Sequence, residues 1–155
     1  MNIQNKVFVV TGAGGGIGGE LVRALVAGGA KVAAVDLKQE PLDTLKNSLG
    51  EKSADVSVHA LNIADRKAVF LLPNAVVQTH GSVDALINCA GIVQPFVRVN
   101  DLDFESIERV MNVNFYGTLN MTKAFLPRLL ERPEAYIVNV SSMGGFLPVP
   151  GQSVY

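Results

Sequence analysis

Cysteine is nearly absent: Cys89 is the single thiol in 155 residues. One thiol closes no internal disulfide, which excludes a disulfide-stapled secreted scaffold. Charge of one sign is also lacking, since 13 Lys+Arg face 14 Asp+Glu for a formal net charge of −1. Nucleic-acid binding driven by a basic excess is therefore not expected. No apolar run approaches the roughly 18 residues of a membrane span, so no membrane partner is expected. After Lys6 only four apolar residues precede Thr11, too few for a signal peptide. A soluble, cytoplasmic protein is the expectation. There are two histidines, His59 and His80. They read as incidental, and no His/Cys/carboxylate cluster has metal-ligand spacing, so no metal is expected.

The chain is rich in apolar residues, at 48% against 17% charged, enough to bury a core. Its length suits one domain, and residues 1–155 read as one nucleotide-binding unit. Glycine is concentrated, with six residues between Gly12 and Gly19. Val7–Val10 reads as a strand buried on both faces, as in a parallel sheet. A helix follows with Ile17, Leu21, Ala24, Leu25 and Gly28 as its apolar stripe. Strands are expected at 31–35, 56–61, 83–87 and 135–140, and helices at 41–49, 65–80 and 104–130. Pro73 predicts a kink or break in the third helix. Asp65 is a candidate cap, and Asp101, Asp103 and Glu105 suit a helix start. Strands alternating with helices imply an α/β fold with a doubly wound parallel sheet and helices on both faces. Right-handed crossovers on both sides of the first strand give the order 3-2-1-4-5.

The turn Thr11-Gly12-Ala13-Gly14-Gly15-Gly16-Ile17-Gly18-Gly19 joins the first strand to the first helix. A dinucleotide pyrophosphate must approach backbone N–H groups at a helix N-terminus, and side chains would block it. The turn accommodates G-x-G-x-x-G, as Gly14, Gly16 and Gly19, and equally T-G-x-x-x-G-x-G, as Thr11, Gly12, Gly16 and Gly18. Asp36 ends the second strand 18 residues beyond Gly18, near the spacing of about 20 for a ribose-binding acid. Its carboxylate would accept the ribose hydroxyls and repel a 2′-phosphate, and the turn holds no Arg or Lys to rescue that phosphate. NAD(H) rather than NADP(H) is the expected cofactor.

Further along stand Asn88-Cys89-Ala90-Gly91, Asn112-Val113-Asn114, Asn139-Val140-Ser141-Ser142 and Tyr155. With the T-G-x-x-x-G-I-G turn, these motifs resemble the short-chain dehydrogenase/reductase family over Val7 to Tyr155. The resemblance implies a Rossmann-type NAD(H)-dependent oxidoreductase interconverting a secondary alcohol and a ketone. It implies cofactor contacts from Gly12, Gly15, Gly16, Ile17, Gly18, Asp36, Leu37, Asn62, Ile63, Asn88, Ala90 and Gly91. Cys89 replaces the second Asn of the family segment and reads as a small buried filler. Asn62 stands where Asp is more usual and can still accept a hydrogen bond.

The family's active site implies roles for Asn114, Ser142 and Tyr155. The stripe Ile107, Met111, Asn114, Thr118, Met121 and Phe125 places Asn114 on the inward face of the long helix, with Asn112 about 160° away. In the family that Asn holds a water in a proton relay, the Ser binds the substrate oxygen and the Tyr is the general acid/base. Ser142, thirteen residues before Tyr155, fits better than Ser141. The family's Lys falls four residues past the Tyr, beyond this sequence, and the loop at 148–155 reads as interrupted. A catalytically incompetent nucleotide-binding fragment or a regulatory pseudo-enzyme is the alternative reading. Ile92, Val93, Phe96, Met143, Phe146 and Leu147 suggest an apolar wall for an aliphatic or acyl carbonyl or alcohol. A homodimer or homotetramer built on the long helix is the implied assembly of the full-length protein.

Overall fold

A computed structural model describes residues 2–155; Met1, part of the expected unit 1–155, lies outside the described residues. Five strands, β1 (Val7–Thr11), β2 (Lys31–Asp36), β3 (Val56–Ala60), β4 (Ala85–Asn88) and β5 (Tyr136–Asn139), form one sheet. Every pairing is parallel and the order is β3-β2-β1-β4-β5, as the crossover rule predicts. Strand alternation divides the core in two. Val7, Val9 and Leu86 face one side, and Phe8, Val10 and Ile87 the other. Helices α1 (Gly16–Ala27) and α2 (Gln39–Ser48) cover the second face through Val22, Val26, Leu42 and Leu45. Helix α3 (Arg66–His80) and the end of the long helix cover the first through Val69, Leu72, Val76, Met121 and Phe125.

The amino ends of the central strands are tied by one carboxylate. Asp84, 1% exposed, accepts from Val7 N at 2.9 Å and Arg132 Nε at 2.9 Å, with Lys6 Nζ at 3.6 Å. A charge that deep persists because it is paired and hydrogen-bonded.

Three expectations need correction. The buried stripe of α1 is Gly18, Gly19, Val22 and Val26, one residue out of phase with the sequence reading. Ile17, Ala24 and Gly28 are exposed, because α1 seats its small residues against the sheet-end loop. Second, α3 runs from Arg66 to His80 without a break at Pro73. Val69, Leu72, Pro73 and Val76 are all buried, and that packing outweighs one missing N–H. Third, the long helix is α4 (Phe104–Val110), a π-helical turn at Met111–Gly117 and α5 (Thr118–Leu130). The i→i+5 turn shifts the helical phase. Met121 and Phe125 are buried as expected, but Met111 is exposed and Ile107, Asn114 and Thr118 are half-buried. No helix among the described residues is long and apolar enough to cross a membrane.

Candidate nucleotide cleft and active site

A cleft of about 450 Å³ opens at the carboxyl ends of the strands, at the point where the winding reverses across β1. Gly12, Gly15, Gly16, Ile17 and Gly18 line it from the glycine turn, with Asp36, Leu37, Asn62, Ile63, Ala90 and Gly91 from the other strand ends. A Cβ at Gly18 would fall on the carbonyl oxygen of Gly12, so only glycine lets the first turn of α1 come this close to the strand-end loop. Gly15 is the N-cap and offers no side-chain cap. In contrast, Asp65 caps α3 and Asp103 caps α4 through backbone amides. The first-turn N–H groups of α1 are thus open to an anion. Ile17, 65% exposed, is an apolar wall of the cleft and not part of the core.

Asp36 is half-buried and held by two amides, Gly14 N to Oδ2 at 2.9 Å and Lys38 N to Oδ1 at 3.4 Å. Asn62 Oδ1 accepts from Ala64 N at 2.9 Å, and Ile63 O accepts from Asn120 Nδ2 at 3.1 Å, which fixes that segment at the rim. Thr11 Oγ1 accepts from both Cys89 N and Ala90 N at 3.0 Å and seats the segment after β4.

Asn88 is off the cleft lining. Alternation along β4 puts it on the same face as Leu86. There Nδ2 donates to Asn139 Oδ1 at 2.9 Å and Thr122 Oγ1 at 3.3 Å, and Oδ1 is buried without a partner among the described residues. Cys89, read as a small buried filler, is half-buried: it packs against the core on the α1 and α2 side and also lines the cleft. Burial pushes its thiol pKa up, which keeps it protonated at neutral pH.

Asn114 makes a two-point clamp on one residue. Its Oδ1 accepts from Ile92 N and its Nδ2 donates to Ile92 O, both at 2.9 Å. Ser142 and Tyr155 meet around Gly144. Ser142 Oγ accepts from Gly144 N at 3.2 Å, and a Cβ at Gly144 would lie 3.3 Å from the Tyr155 ring. Ile92 lines the cleft, whereas Val93, Phe96, Met143, Phe146 and Leu147 are exposed apolar surface and not a closed wall.

Lys38, Leu61 and Val113 also line the cleft and escaped the sequence reading. Lys38 had a signal, standing two residues after Asp36. His59 and His80 are brought together: each Nε2 lies 2.8 Å from Ser57 Oγ. No group of three potential metal ligands occurs among the described residues.

The family model described as short chain dehydrogenase matches residues 6–155. The chain belongs to the short-chain dehydrogenase family. Among its family relatives, SadH of Mycobacterium tuberculosis is 39% identical over 154 residues, covering 99% of this chain and 55% of SadH. The 3-oxoacyl-[acyl-carrier-protein] reductase FabG of Thermotoga maritima is 35% identical over 157 residues, covering 100% of this chain and 63% of FabG. A crystal structure of NAD+-bound xylitol dehydrogenase superposes with a TM-score of 0.94 at 30% identity, covering 100% of this chain and 60% of that one. The 3-ketoacyl-(acyl-carrier-protein) reductase of Brucella melitensis, complexed with NADH, gives a TM-score of 0.93 at 29% identity, covering 99% and 64%. The chain thus spans somewhat over half the length of these family members.

Proposed function

We propose that this chain is the nucleotide-binding part of an NAD(H)-dependent oxidoreductase that interconverts a secondary alcohol and a ketone. One observation carries the reading: an uncapped, glycine-lined helix N-terminus and an oriented carboxylate, Asp36, share a single cleft. The donors suit a pyrophosphate, and the carboxylate suits a ribose diol. The two amides that hold Asp36 leave its remaining lone pairs for those hydroxyls, and its charge disfavours a 2′-phosphate. Lys38 on the same wall is the opposing charge, so the preference for NAD(H) over NADP(H) rests on Asp36 outweighing it. When bound, the nicotinamide supplies or accepts the hydride.

The protein's own part is position and proton transfer. Tyr155 passes a proton to or from the substrate oxygen. Ser142 spends an oxygen lone pair on Gly144 N and keeps its hydroxyl proton for that same oxygen. Asn114 spends one Oδ1 lone pair and one Nδ2 hydrogen on Ile92 and keeps the other of each for the water of a proton relay. The exposed apolar residues after β4 and β5 favour an aliphatic or acyl-type substrate. Cytoplasmic location and a homodimer or homotetramer built on the long helix complete the reading. Fluorescence titration with NADH and NADPH tests it: tight NADH binding with weak NADPH binding is expected, and equal affinity would refute the role of Asp36.

A further inference from the structure

Gln94 is the one buried polar side chain in the loop between β4 and α4, only 2% exposed. All its partners lie on the four residues that lead into Tyr155. Nε2 donates to Gly151 O at 3.1 Å and Ser153 Oγ at 3.4 Å, and Oε1 accepts from Val154 N at 2.7 Å. Three bonds from one rigid carboxamide fix both the height and the direction of that strip. A separate contact presses the same loops together. Gly151 sits at φ +79°, and a Cβ there would lie 3.1–3.2 Å from Phe96 C and Cα, so backbone meets backbone. On the other side of Gln94, Asn114 grips Ile92 at both its N–H and its carbonyl. A continuous path therefore runs from Asn114 through Ile92, Gln94 and Val154 to Tyr155.

We propose that Gln94 is the positioning residue of this site: it couples the loop held by Asn114 to the strip that carries Tyr155, and so sets the phenol against Ser142. It acts through Val154 and Gly151 and does not itself meet the substrate. The proposal rests on the reading of Tyr155 as acid/base. A buried carboxamide is costly unless its groups are paired, and an apolar residue of similar volume would pack equally well, so what Gln94 adds is direction. Small displacements of a reacting group carry large kinetic costs.

The test uses the full-length enzyme with Gln94→Met, which keeps the volume and loses every bond, beside Tyr155→Phe. Turnover is expressed per NADH-binding site, so partial unfolding does not enter. Gln94→Met is expected to bind NADH within twofold of wild type, to lose kcat roughly 10- to 100-fold, and to displace the limb of the kcat–pH profile that reports the phenol. Wild-type turnover per site with an unmoved profile would overturn the proposal. So would loss of NADH binding, which would make Gln94 a support of the cleft as a whole. Normal turnover in Tyr155→Phe would remove the underlying reading and the proposal with it. An inactive Tyr155→Phe beside a fully active Gln94→Met would remove the proposal alone.

Discussion

Asp36 and Tyr155 are the single residues on which the proposed function turns, and each has a separable signature. Asp36 orients Gly14 N and Lys38 N while facing the cleft. In Asp36→Ala, NADH affinity should fall by about 1.5–3 kcal/mol, the usual worth of a charge-assisted hydrogen bond. NADPH affinity should hold or rise as Lys38 loses its opponent. Parallel titrations of both nucleotides measure this, and an unchanged ratio of the two affinities would contradict it. Tyr155→Phe keeps the ring beside Gly144 and removes only the hydroxyl. Its kcat should drop roughly 10²- to 10⁴-fold, with the NADH dissociation constant within twofold. Motif spacing along the chain is what marks both residues as candidates. Gln94 was not legible in the sequence, because its partners lie 57 to 60 residues away and a lone Gln in a loop carries no periodic signal.

Elements differ in how they are pinned, and the edge strand β3 has a pH-sensitive tie. Ser57 and His59 lie on one face of β3, and His80 reaches them from the last turn of α3. One hydroxyl can donate to one imidazole nitrogen and accept from the other, which satisfies two neutral rings. Burial lowers the pKa of both histidines. Each ring's neighbours add to this: His80 bears on His59, and Lys31 and Lys46 bear on His80, with Asp55 opposing. A folded pKa below the unfolded value of 6.5 means the unfolded chain takes up protons first as pH falls. Stability from the cluster is therefore complete above pH 6.5 and erodes below it until the folded rings titrate. Chemical-denaturation midpoints of the full-length protein should decline from pH 7 to 5. The double variant His59→Gln, His80→Gln should flatten that decline; an equally steep decline in the variant would exclude these rings as the source. Asp65 is a second pin, accepting from Lys67 N and Ala68 N. Asp65→Ala should cost about 1 kcal/mol in the same measurement.

At the scale of the whole molecule, an edge strand and the long helix both expose apolar side chains. β5 is an edge strand whose Tyr136, Ile137 and Val138 are all exposed, with Val140 just beyond. Phe115, Leu119 and Leu126 on the long helix are exposed too. An uncovered edge and an apolar patch both invite pairing with another chain. The 155-residue polypeptide prepared alone should therefore associate with rising concentration in sedimentation velocity. Ile137→Lys, a charge on that edge, should reduce the association. A monomer at every concentration, or association indifferent to Ile137→Lys, would contradict the edge account.

The sequence by itself determined what depends on neighbours along the chain. Short β-branched runs separated by helical stretches set the parallel sheet, and crossover handedness then dictated the strand order. Glycines after β1 and an acid ending β2 marked the cleft, and ordered motifs nominated Asn114, Ser142 and Tyr155 as candidates. Tertiary structure alone decided the facing of side chains that local periodicity cannot resolve. Close approach at Gly18 rotated the buried stripe of α1, and the π turn changed the phase of the long helix around Asn114. Sheet alternation, packed against α5, drew Asn88 away from the cleft, and the meeting of two distant loops gave Gln94 its partners. Helical periodicity assumes an even 3.6 residues per turn, and hydrogen bonds between distant segments exist only once the layers have closed.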